Sequence, residues 1–131
     1  MNTEDLGKLV LRLMLGGLML FHGVHKVLDG IPDIKQMVAM HGLPEVLANG
    51  VYLGEVLGPV LVILGLFSRI GGLLIAVNMI VAVLLAGMPH LLGLNPFGGY
   101  ALELEALYLF GGVAVMLLGA GRFGIGGGRW N

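Results

Sequence analysis

The chain of 131 residues contains no cysteine. It therefore cannot build a disulfide framework, a thiolate metal site or a thiol–disulfide exchange centre from its own side chains. Charge is nearly as scarce: 7 Lys and Arg against 8 Asp and Glu give a net charge of -1, and charged residues make up 11% of the whole. The basic residues stand singly, so the patch that nucleic acid requires is missing. From Ile70 to Leu102 there is no Asp, Glu, Lys or Arg, and Asn78 is the only strongly polar side chain before Pro89 and His90. Flavin and nicotinamide fingerprints are missing too, because the glycine-rich stretches follow apolar runs rather than a strand of a βαβ unit.

What is present is apolar. Hydrophobic residues make up 57% and the mean hydropathy is +0.97, values that belong to an integral membrane protein rather than a soluble domain. Four runs, residues 6–28, 48–67, 70–90 and 101–120, approach the ~20 apolar residues that a bilayer core demands. The expected fold is an all-α membrane protein, one domain over 1–131 with four transmembrane helices in a compact bundle. Residues 121–131, rich in glycine, are expected to form a flexible tail. Glu4, Asp5 and the lack of a small-residue cleavage site after the first run mark that run as a retained span rather than a signal peptide.

Between the first two runs, Asp29-Gly30-Ile31-Pro32 breaks the helix. Ile34, Met37, Val38 and His41 then recur at helical spacing, which predicts a short interfacial helix, either a plain connector or a lid. In the second run Glu55 is the only charge, and Pro59 follows four residues later. Proline has no amide hydrogen, so the Glu55 carbonyl loses its helical partner and a kink is expected. Gly54 and Gly58 set a spacing of small residues that lets a neighbouring helix approach. Asn78 reads as an interhelical hydrogen-bonding residue.

Lys8, Arg12, Arg69, Arg122 and Arg129 fall on the side of the termini, and only Lys26 and Lys35 on the other. The positive-inside rule then places both termini in the cytoplasm, with Arg12 and Arg69 as topology residues. In that frame the ionisable groups of all four runs share a depth. His22, His25 and Lys26 end the first run, Glu55 opens the second, His90 ends the third, and Glu103 and Glu105 open the fourth. Six residues from a helix end is roughly 9 Å at ~1.5 Å per residue, so these groups form one polar layer in the outer half of the membrane. An intramembrane charge is costly alone, and Lys26 is expected to pair with Glu55.

Three chemistries suit such a layer. His22, His25, His90 and a glutamate could ligate a metal or haem, although the Glu-x-x-His pairs of di-metal bundles are missing and a lysine cation disfavours a metal. The layer could instead head a pocket for a quinone or another apolar ligand, with histidine as donor and Lys26 and Glu55 tuning it. Third, it could be a polar clasp fixing helix register in an anchor for soluble partners; a lipid-binding or transport protein without redox chemistry is the rival to the quinone reading.

The residues also resemble the DoxX family of small bacterial four-helix membrane proteins over nearly the whole chain. Phe21-His22-Gly23-Val24-His25-Lys26-Val27 is similar to the family's FHGxxK-type helix end. Leu53-Gly54-Glu55 and Leu64-Gly65-Leu66-Phe67-Ser68-Arg69 are similar to its glutamate and LGLFTR-type hinge. Glu105-Ala106-Leu107-Tyr108 and Gly119-Ala120-Gly121-Arg122-Phe123 look like its closing motifs, with Ala120 in place of a proline. The resemblance implies a bacterial inner-membrane protein, a subunit linked to oxidoreductases such as thiosulfate:quinone oxidoreductase or partnered with soluble oxidative-stress enzymes. Relatives in the wider superfamily bind sterol-like or lipid ligands, so fold alone does not fix the reaction. Carried over by position, the family's polar residues fall on Lys26, Glu55, Arg69, His90 and Glu105. The candidate ligand-binding set is therefore His22, Lys26, Glu55, His90 and Glu105, with Arg12, Arg69, Pro59, Gly54 and Gly58 structural. A quinone is the cofactor favoured, ahead of haem or metal. The expected partners are the bilayer, a soluble redox subunit and further copies of the chain.

Overall fold

Asn2 opens the first helix by accepting a hydrogen bond from the Glu4 amide at 2.9 Å. Glu4 and Asp5 in the first turn face the positive end of the helix dipole. In the computed structural model, which describes residues 2–131, this helix, α1, runs Thr3–Asp29 and stops at Gly30 with φ 79°. Pro32 then starts the short helix α2, Pro32–Met40. A third helical stretch, α3, covers Glu45–Leu64. It begins as a 3-10 helix over Glu45–Gly50, widens into a π turn over Leu53–Leu57, and finishes as an α-helix over Gly58–Leu64. The wide turn lies immediately before Pro59, where the missing amide hydrogen prevents a regular ladder. The fourth stretch, α4, covers Ser68–His90 and repeats the device, with a π turn at Val83–Gly87 leading into Met88–His90 around Pro89. The last helix, α5, is Glu103–Leu118.

No β-strand occurs among the described residues beyond an isolated bridge between Leu94 and Tyr100. Helices α1, α3 and α4, with 27, 20 and 23 residues, are long and apolar enough to cross a membrane. The fourth expected span is shorter than its apolar run. Residues 101 and 102 belong to the turn before α5, and Gly119, with φ 78°, stops the helix after 16 residues, about 24 Å at 1.5 Å per residue.

Packing pairs α1 with α3, α3 with α4, α4 with α5 and α5 with α1. The ring closes on a core of Leu15, Met19, Val62, Ile75, Met79, Tyr108 and Val115, to which each of these helices contributes. Between α4 and α5 the backbones nearly touch: a Cβ on Gly72 would lie 2.5 Å from the Gly112 carbonyl, and one on Gly112 would lie 2.7 Å from that of Gly72.

The end where α1 begins is closed by two arginines. Arg12 is 1% exposed and donates to the carbonyls of Val62, Ile63, Ala120 and Phe123 at 2.9, 3.0, 2.9 and 3.3 Å. Arg69 donates to Met116 and Leu117 at 3.0 and 2.7 Å. Each guanidinium thus fills carbonyls that a helix C-terminus leaves without partners, at the negative end of the dipole. Arg12 is thus a clamp inside the bundle, the structural one of the two roles its sequence position left open.

Residues 121–131, expected to be a flexible tail, are held by the same end. Ile125 and Gly126 donate to Leu64 and Gly65 at 3.1 and 3.0 Å, and Arg69 donates its amide to Trp130 at 3.1 Å. Asn131 accepts from the Ser68 amide at 3.3 Å, so the tail caps the start of α4. The turn that receives it needs Gly65, whose φ is 69° and whose Cβ would meet Gly124 at 2.4 Å and Arg12 at 2.6 Å.

Candidate functional site

At the other end of the bundle, Gly23 decides how close α1 comes to α3. A Cβ there would lie 1.8 Å from the carbonyl oxygen of Glu55. The glycine therefore rests against the carbonyl that Pro59 deprives of its usual partner, and the approach brings the next turn of α1 alongside Glu55. Lys26, one turn beyond, forms an ion pair with the carboxylate of Glu55. The second carboxylate oxygen accepts from the Asn78 amide on α4 at 3.1 Å. Glu55 is 6% exposed; such a charge is tolerable because both its oxygens are bonded and an opposite charge adjoins it. Gly54 makes the room for Asn78, since a Cβ at Gly54 would overlap the amide side chain at 2.2 Å. Tyr52 adds a long hydrogen bond to the Lys26 carbonyl, 3.4 Å.

This trio lines a cavity of about 660 Å³ among α2, α3 and α4, with Lys26 reaching it from α1. Among the described residues, Lys26, Glu55 and Asn78 are its only polar side chains, and every other lining residue is aliphatic, Met or Gly. Helix α2 covers it with Ile34, Met37 and Val38, the apolar positions that helical spacing had singled out. Val38 packs with Ile31 and Ala48 in a small second core that reaches Leu85 of α4. Helix α2 is thus part of the cavity wall, whichever of the two sequence readings, connector or lid, describes it. Both volume and lining fit a ligand pocket, which is typically apolar with a few placed polar groups.

The other expected layer residues stand apart from this cavity. His22 is exposed and meets the edge of Tyr108 on α5 at 5.9 Å and 89°. His25 is exposed and lies 2.9 Å from Asp29, one turn on. His90 is exposed at the end of α4, and Glu105 is half-buried on α5. Glu103 accepts from Asn95 of the preceding loop at 3.0 Å. Among the described residues no hydrogen bond joins His22, His90 or Glu105 to Lys26 or Glu55, and no three His, Asp or Glu side chains converge as metal ligands do. Two groups central to the arrangement were given other weight by the sequence. Asn78, the polar side chain of an uncharged stretch, does bond between helices and also lines the cavity, and Tyr108 is the ring that His22 meets edge-on.

Comparison with known proteins agrees with the motifs. The family model described as DoxX matches residues 7–88. Among curated proteins the chain is similar to one of Bacillus subtilis (strain 168) named "Putative oxidoreductase CatD", with 32% identity over 119 residues, which cover 91% of this chain and 84% of that protein. No solved structure matches the chain.

Proposed function

The chain belongs to the DoxX family, and on that premise we propose that it is a bacterial inner-membrane subunit associated with an oxidoreductase, binding a quinone or similar small apolar ligand beside Lys26 and Glu55. The observation that carries this reading is the aliphatic cavity with its single charged end. A quinone carbonyl seated there would accept from the Lys26 ammonium or the Asn78 amide, and the aliphatic walls would take the prenyl tail. Helix α5 would serve as a fourth span, both termini would face the cytoplasm, and the cavity would lie in the outer half of the bilayer. His22, His90 and Glu105 would sit nearer the aqueous face, where a histidine can relay protons. The name of the Bacillus relative supports the link to redox chemistry. The chain carries no nicotinamide or flavin fingerprint, so a soluble partner would supply the electrons.

Mass spectrometry of lipids co-purified with the protein in nanodiscs tests this directly. An isoprenoid quinone or comparable apolar molecule is expected at near one per chain, and its loss is expected when Ala82, on the cavity wall, is replaced by phenylalanine. Wild-type protein without any bound apolar molecule would sink the proposal. A lipid carrier without redox chemistry is the second reading, favoured by the absence of aromatic side chains from the lining among the described residues. It predicts bound lipid but no redox enzyme co-purifying.

A further inference from the structure

The charge balance of the polar cluster in the cavity lining restricts what can be bound beside it. Lys26 and Glu55 already neutralise one another, and among the described residues no other ionisable side chain lines the cavity. An acidic headgroup brought beside them would leave one net negative charge in an apolar enclosure. A cationic headgroup would leave one positive charge. Either excess is penalised where no counter-charge is at hand. An uncharged headgroup adds no such imbalance and still finds hydrogen bonds. The Lys26 ammonium has three donors, of which one is directed at Glu55. Asn78 commits its Nδ2 to Glu55, and its Oδ1 accepts no hydrogen bond among the described residues. A donor and an acceptor are thus offered by two side chains that share Glu55 as partner, while the remaining lining side chains offer nothing polar.

The rim says where such a molecule would come from. Leu43, Leu47, Leu53, Val77 and Val81 line the cavity and are each between 45% and 56% exposed. Leu47, Leu53, Val77 and Val81 lie on helices long and apolar enough to cross a membrane, and on the reading above this exposed rim would open toward lipid.

We propose that the cavity selects an uncharged, long-chain lipid with a single oxygen-bearing headgroup, the headgroup seated between Lys26 and Asn78 and the chain along the aliphatic wall toward the bilayer. Prenyl alcohols, monoacylglycerols and a quinone held by one carbonyl belong to this class; fatty-acid anions, acidic phospholipids and soluble anions do not. The proposal deepens the ligand-binding reading above and rests on it.

The test measures binding of a long-chain prenyl alcohol and of an alkylsulfonate of matched chain length to full-length protein in neutral nanodiscs, with a short-chain ubiquinone as reference. Wild type is expected to prefer the prenyl alcohol over the sulfonate by at least ~10-fold, the scale set by an unpaired charge in an apolar site. Glu55→Gln leaves Lys26 unbalanced and should move the preference toward the sulfonate by ~10-fold or more. The double variant Lys26→Gln with Glu55→Gln is neutral again and should return it to the alcohol. A merely structural pair would alter the affinity for both probes together and leave their ratio unmoved. Equal or tighter sulfonate binding by wild type overturns the proposal even if no variant folds, and so does an unmoved ratio in Glu55→Gln. If wild type binds ubiquinone but does not discriminate by headgroup charge, this inference alone falls. If it binds none of the three, the ligand-binding reading falls with it.

Discussion

Lys26 on α1 and Glu55 on α3 are ion-paired in the wall of an otherwise apolar cavity, and the second carboxylate oxygen is held by Asn78 of α4. The pair therefore ties three helices together where their packing leaves a space. Removing one partner strands the other, whereas removing both leaves only a hole to fill. Lys26→Met or Glu55→Leu alone is expected to lower stability by about 3 kcal/mol, and the two together by less than either alone. Thermal unfolding in one detergent, run as a double-mutant cycle, checks this; additive losses would show that the two side chains act independently.

Gly23 is a steric requirement. Gly23→Ala places a methyl group into the Glu55 carbonyl, so α1 must move away and the Lys26 pairing must loosen. A loss of about 1–3 kcal/mol is expected, the usual range for overpacking. Gly17 on the same helix has nothing within 4 Å of its Cβ position, and Gly17→Ala should stabilise by about 0.5–1 kcal/mol through helix propensity. Opposite shifts in melting temperature for the two variants are the expected outcome.

Arg12 serves four carbonyls through a planar fork that lysine cannot reproduce. Arg12→Lys is expected to cost about 3 kcal/mol, because several buried carbonyls lose a charged donor at once. The segment 121–131 should become sensitive to protease in this variant, since two of the four carbonyls, those of Ala120 and Phe123, lie at its start. Lys35→Gln, on α2 and away from Arg12, its four carbonyls and residues 121–131, serves as the control and should leave both readouts unchanged.

Ala82 lines the cavity but makes none of the hydrogen bonds at its charged end. Ala82→Phe fills space without touching the Lys26–Glu55 pair, so bound lipid should fall by about 10-fold while the melting temperature holds or rises, as expected when a void is filled. Lipid content by mass spectrometry and unfolding on the same preparations separate the two effects. Retained lipid in a folded variant would place the ligand elsewhere.

Much of this architecture was carried by one-dimensional pattern. Long apolar runs can bury their backbone polar groups only as helices, so the helical character and the membrane setting follow from residue order alone. A lone lysine at one helix end and a lone glutamate in the next must answer each other for the same reason of charge in an apolar medium, and Lys26 does meet Glu55. The FHGxxK-type and LGLFTR-type motifs placed the chain in its family, and the family match bears that out. Tertiary structure alone decided which groups share an enclosure. His22, His90 and Glu105 were assigned to one layer from their positions along the helices, but position along a helix says nothing about rotation around the bundle, and they do not line the cavity. Arg12 and Arg69 were read as structural or topology residues without named partners, because a sequence does not show which distant helix ends lack partners; the fold sets such carbonyls against each guanidinium. The tail was read as flexible from its glycines, yet those same glycines allow backbone to lie against backbone, and residues 121–131 close the bundle. Composition settles the solvent and the secondary structure, whereas the pairing of carbonyl with donor and of cavity with charge exists only once the helices have been packed.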